Sequence, residues 1–164
     1  LKLALLVFFF LLPACQRSAA PDAGPAEPEC TLNTPLVPGV PGSPGHLIAS
    51  DINQNGASEL ATLMRAMKED LQTARHAIEK GDPTAPMFAR HRKIRCAWPT
   101  GLEDRNAVFE ASAVTYLQLV RQLDARPADP RAAYEAVVGG CLACHATACP
   151  GPVSLIEKLR LLPK

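Results

Sequence analysis

Apolar residues recur at spacings of three and four from Leu60 through Leu63, Met64, Met67, Leu71, Ala74 and Ile78. That period draws one stripe along a helix beginning at Ser58. Gly81 ends the pattern and Pro83 lies just beyond it, the usual order of helix stop signals. A stripe of this kind must be buried against other elements, and the rest of the chain offers more helices. A shorter one is expected from Thr84 to Trp98, with Met87, His91 and Ile94 on one side and Pro99-Thr100-Gly101 as its exit. A third is expected from Asp104 to Ala125, with Phe109, Ser112, Tyr116, Leu119 and Leu123 facing inward. The fourth starts with Asp129 as cap and Pro130 in the first helical position, and carries Ala133, Tyr134, Val137, Val138 and Cys141 on its apolar face. The expected fold is therefore all-α. Short connections favour antiparallel neighbours in an up-down-up-down four-helix bundle. A short helical tail follows over Val153 to Leu162, with Leu155, Ile156, Leu159 and Leu162 apolar.

The fourth helix ends in Cys141-Leu142-Ala143-Cys144-His145. Two thiols three residues apart match the spacing of two porphyrin vinyl groups, and the adjoining imidazole reaches the iron, so this is the attachment signature of a c-type haem. Random placement of six Cys and four His in 164 residues gives such a match in roughly 0.5 % of chains. Two rivals use the same residues: a zinc knuckle of Cys141, Cys144, His145 and Cys149, and a Cys141 to Cys144 redox disulfide, which wants a strand-to-helix context that the flanks do not offer.

The N-terminal residues bear on location. Lys2 is followed by ten apolar residues, Leu3 to Leu12, and then by Pro13-Ala14-Cys15. The run is too short to span a membrane and suits the apolar region of a signal peptide over residues 1–14. A small residue followed by Cys resembles a bacterial lipobox, which implies lipidation of Cys15; a plain secretory signal is the alternative. Either way the chain is exported, the side of the membrane on which c-type haem is attached, and the expected location is periplasmic and lipid-anchored. Residues 16–47 hold seven Pro and four Gly with little apolar periodicity. They are expected to form, with Cys15, a tether preceding a domain over 48–164.

Charge narrows the partners. The chain has 17 Lys and Arg against 16 Asp and Glu; without residues 1–14, which include one Lys, the numbers are 16 and 16. No basic patch argues for nucleic acid.

In an up-down bundle the end of helix four lies beside the beginning of helix one, which makes Met64 and Met67 the candidate partners of His145 across the iron. His76 is twelve residues beyond Met64, about 18 Å along the helix, and is excluded. Met87 falls at the wrong end, and His91 is intermediate. Cys96 and Cys149 are expected at one end of the bundle, which suggests a disulfide between them and leaves Cys30 unpaired. Tyr116, Tyr134, Phe109 and Trp98 are expected to pack the core or the haem.

Over roughly residues 57–148 the chain resembles the class II c-type cytochromes, which include cytochrome c prime and its low-spin, methionine-ligated relatives. The resemblance rests on Leu63-Met64, on Ala77-Ile78-Glu79-Lys80-Gly81-Asp82 closing the first helix, on Trp98 and on the C-terminal Cys141-Leu142-Ala143-Cys144-His145. It implies one covalent haem c at one end of a four-helix bundle, held through Cys141 and Cys144 with His145 as proximal ligand and Met64 at the distal position. Members usually end soon after the motif, so the tail is a departure. Two functions follow. A His/Met iron implies a one-electron carrier between redox partner proteins, not an enzyme. An open distal site implies a gas-binding protein taking NO or CO. A third class, a haem-free structural or zinc-binding lipoprotein, needs no pigment. The sequence leaves open the redox partners and whether the bundle forms a homodimer.

Overall fold

A computed structural model describes residues 30–162; residues 1–29, including the expected signal peptide and Cys15, lie outside the described residues. The described residues contain five α-helices and no strand, with one isolated bridge between Ile48 and Ala57. The all-α expectation therefore holds. Among the described residues no helix is long and apolar enough to cross a membrane.

Helix α1 spans Glu59–Lys80. Ser58 caps it by accepting the Ala61 N–H, and Gly81 closes it in the left-handed conformation with its N–H bonded to the carbonyls of Ala77 and Ile78. Met67, Leu71, Ala74 and Ile78 are its buried residues. Both ends and the stripe match the sequence expectation.

The second element departs from it. In place of a helix from Thr84 to Trp98 there is a four-residue helix, α2, at Phe88–His91, followed by a 3₁₀ turn at Arg92–Arg95. Pro86 is the cause at the start, because the residue before a proline is pushed out of the helical region. The Asp124 carboxylate then accepts the N–H groups of Met87 and Phe88. Met87, His91 and Ile94 are nonetheless buried together, as their spacing suggested.

Helix α3 spans Ala107–Asp124 and starts later than expected, because Asn106 takes the cap while Asp104 belongs to a preceding 3₁₀ turn. Its buried residues are Ala113, Tyr116, Leu117, Val120 and Leu123. This face is wider than the expected one because α3 packs on α2 as well as on the next helix. That helix, α4, spans Pro130–Ala148, with Asp129 accepting the Ala132 N–H and Pro130 leading. It buries Tyr134, Val137 and Val138 and carries the whole cysteine–histidine motif in its last turns.

The tail has a structural role. Helix α5, Val153–Glu157, folds back on α4 and buries Ile156 and, just after it, Leu159. The fully buried Tyr134 hydroxyl lies 2.8 Å from the Leu159 carbonyl and 3.2 Å from the Leu71 carbonyl, so one hydroxyl ties tail, α4 and α1. Arg75 donates to the Lys158 carbonyl and Glu135 accepts the Leu161 N–H.

Two expectations are corrected at the other end of the chain. From Cys30 onward the Pro/Gly segment is packed against the domain. Arg105 donates to the carbonyls of Thr31 and Thr34, Trp98 Nε1 donates to the Val37 carbonyl at 2.6 Å, and Glu59 N donates to Gly42. Gly42, at φ +92, is required there: a Cβ would come within 2.2 Å of Glu59 N. This strap brings Cys30 to Cys96, and these two form the disulfide, with 5.2 Å between their Cα atoms. The expected Cys96 to Cys149 pair is thus replaced. Cys149 follows the end of α4, exposed and free.

Candidate functional site

The motif lies at the C-terminal end of α4, where the N-terminal halves of α1 and α3 meet it. A shallow apolar cleft of about 30 Å³, open to solvent, is lined there by Cys141, Cys144 and His145 from α4, Met64 and Met67 from α1, Phe109, Ser112, Ala113 and Tyr116 from α3, with Gly140 and Ile94. The expected candidates therefore converge. Met67 is only 4 % exposed and belongs to the core, whereas Met64 is half-buried at its edge. His76 is exposed, and Met87 and His91 do not line the cleft.

The His145 ring is oriented by its own helix end. Its Nδ1 lies 3.0 Å from the Cys149 carbonyl oxygen, which can only accept, so Nδ1 carries the hydrogen and Nε2 keeps its lone pair. A backbone carbonyl on the second ring nitrogen is the usual device for orienting a metal-binding imidazole.

Both thiols are held in their protonated form. Burial pushes Cys141 up to about 12, opposed by its hydrogen bond with Tyr116. Burial also raises Cys144, opposed by a hydrogen bond with Ser112.

Behind the cleft runs a polar chain, buried at Tyr116 and His91 and reaching the surface at Asp70 and Arg90, that sequence reading missed. Tyr116 Oη is 2.8 Å from His91 Nδ1, and His91 Nε2 is 3.3 Å from Asp70 Oδ2, whose other oxygen accepts from Arg90 at 2.7 Å. A carboxylate partner places the hydrogen of the neutral ring on Nε2, so Tyr116 donates to Nδ1. His91 is fully buried, and the only advance signal was its place between Met87 and Ile94 on an apolar face, where an imidazole needs a partner.

Burial lowers the His91 pKa, with Asp70 and Asp124 opposing and Arg90 assisting. Its value in the unfolded chain is about 6.5. The unfolded state therefore binds the proton first, so the His91 contribution is complete above about pH 6.5 and is lost as pH falls through the lower folded value. Urea midpoints should drop between pH 7.5 and pH 5, and His91→Gln should flatten that part of the dependence.

The residues present suit a c-type haem in donor set: two thiols one turn apart, an imidazole with a free Nε2, thioethers on the facing helix and apolar walls. Among the described residues no group of three or more His, Cys, Asp and Glu is placed to hold a metal ion, including the zinc-knuckle set. Comparison with protein-family models, with curated proteins and with solved structures finds no match to this chain.

Proposed function

We propose that the chain is a membrane-anchored periplasmic monohaem cytochrome c that carries single electrons between redox partner proteins. The observation that carries the reading is the convergence of Cys141, Cys144 and His145 with Met64 and Met67 on one apolar cleft, with the His145 ring turned so that Nε2 is free. Cys141 and Cys144 would hold haem c covalently, and His145 with Met64, or Met67 as the alternative, would supply the side chains that bind its iron. When bound, the haem supplies an iron that takes up and releases one electron.

The protein's own contribution is burial and orientation. Ile94, Phe109 and Ala113 give the site apolar walls, and a thioether ligand together with an imidazole would favour the reduced state and raise the potential. The architecture that goes with this reading is the up-down four-helix bundle of the class II cytochromes. Here α2 with its 3₁₀ turn stands in for the second long helix, and α5 is an addition beyond the family pattern. On this reading the strap from Cys30 onward belongs to the cytochrome domain.

A visible spectrum of the pigment-loaded protein tests the proposal. A sharp reduced α-band that CO leaves unchanged, with a weak far-red band when oxidised, is the expected result. The Cys141→Ser/Cys144→Ser variant should retain no pigment after acid–organic extraction. Rapid CO binding to a high-spin ferrous form would replace electron transfer with the gas-binding reading. Wild-type protein without covalent pigment would end both.

A further inference from the structure

We infer that the cavity between α2, the 3₁₀ turn at Arg92–Arg95 and α3 is a binding site for a small organic dianion with an apolar stem, held by Arg92, Arg95 and Arg121. The inference stands apart from the haem reading, because this cavity and the motif cleft share no lining residue.

Helix geometry gathers the charges. On the 3₁₀ turn Arg92 and Arg95 are three apart, which puts them on one side of it. On α3, Val114, Leu117, Gln118 and Arg121 fall at spacings of three and four and form one face. All six line a cavity of about 270 Å³, partly open to solvent. That is about nine times a water molecule's share of liquid volume and near the lower end of small-molecule sites. Three guanidiniums line it and, among the described residues, no carboxylate does.

The cations are held in place by the protein itself. Glu110, outside the lining, accepts from Arg95 Nε at 2.9 Å and from its Nη2. The Arg121 guanidinium packs over the Phe88 ring, 4.1 Å from its centroid, which restricts its swing. The Cys30–Cys96 bridge adjoins Arg95 and puts Cys30 in the cavity wall, pinning the turn that carries two of the three arginines. Preorganisation of this kind lowers the ordering cost of binding. Guanidinium forks match the paired oxygens of carboxylates and phosphates, and three permanent positive charges call for more than one negative charge on the ligand. Gln118 adds a neutral amide, and Phe88, Val114 and Leu117 supply apolar wall that a bare oxyanion would leave uncovered. The class that satisfies all of these is the phosphate monoester or dicarboxylate.

Isothermal titration calorimetry of the full chain at neutral pH and constant ionic strength tests the site, with phenyl phosphate and phthalate as probes and benzoate as the singly charged control. At least one of the two dianions should bind saturably, one per chain, with a dissociation constant below about 1 mM, and benzoate should bind at least about tenfold more weakly. Arg92→Gln and Arg121→Gln should each weaken dianion binding about tenfold or more, the loss of one charge-assisted hydrogen bond. Lys80→Gln, an equal change of charge at the exposed end of α1, should leave it unchanged. Arg121 also packs on Phe88, so Arg92→Gln carries the test if the other variant folds poorly. No saturable binding of either dianion, benzoate bound as tightly as phthalate, or folded arginine variants binding at wild-type strength overturns the inference. Glu27 and Glu29 directly precede Cys30 in the sequence. Binding seen only in Glu27→Gln/Glu29→Gln would make the chain's own carboxylates the occupant and overturn the inference as well.

Discussion

Replacing both Cys30 and Cys96 by serine is expected to lower the unfolding free energy by about 4 kcal/mol. The bridge joins residues 66 apart. Closing a loop of that length removes chain entropy from the unfolded state worth about 4 kcal/mol at 25 °C. The folded side adds to it. The strap held by this bridge also supplies the carbonyls that Arg105 and Trp98 bond and the glycine that packs on Glu59. Urea unfolding measures the loss. Because Trp98 is the single tryptophan and its Nε1 is bonded to Val37, emission should shift to the red in the native baseline of the variant if the strap comes away. Cys149→Ser should change stability by less than about 0.5 kcal/mol, as surface substitutions do. The opposite pattern, a costly Cys149 substitution and a neutral Cys30 substitution, would restore the pairing of Cys96 with Cys149.

How much of this was legible in the chain depends on which forces act locally. Helix α1 and the start of α4 could be read almost to the residue, because Ser58, Gly81, Asp129 and Pro130 act on their own backbone and the apolar stripes repeat without interruption, whereas α4 runs on to Ala148, past the expected end at His145. The segment from Thr84 to Trp98 was over-read as one helix. Its apolar spacing was right, but Pro86 sets the backbone before any packing begins. The strap was misread for the complementary reason. Its own residues cannot form regular structure, and what orders it are donors from distant positions: Arg105, Trp98 and the Cys96 thiol. No local pattern announces a carbonyl that will be bonded by a side chain 74 residues away. The same holds at the site. Cys141, Cys144, His145, Met64 and Met67 can be named from spacing and helix ends, whereas Asp70 as the partner of His91, and Gly140 as a close approach, depend on how the helices are juxtaposed.

Two methionines one turn apart line the cleft, and their substitution should separate ligation from packing. Met67 is 4 % exposed, on the stripe that continues into Leu71 and Ala74, so its side chain is committed to the core. Met67→Ala should cost about 2–5 kcal/mol by leaving a cavity. On the proposed reading it should keep the far-red band of the oxidised protein. Met64 lies three residues earlier, about 4.5 Å along the axis and nearer the open edge of the cleft, and it is only half-buried. Fewer neighbours fix its thioether, so it can turn toward a ligand at small packing cost. Met64→Ala should therefore cost less stability than Met67→Ala yet abolish the far-red band, lower the midpoint potential and let the reduced form bind CO, while Cys141 and Cys144 keep the pigment covalently attached. Redox titration and CO difference spectra of the two variants beside their urea curves give the answer. Exchange of the two spectral outcomes would assign the distal position to Met67. A wild type that already binds CO, with neither substitution changing its spectrum, would place both methionines in the packing and favour an open distal site.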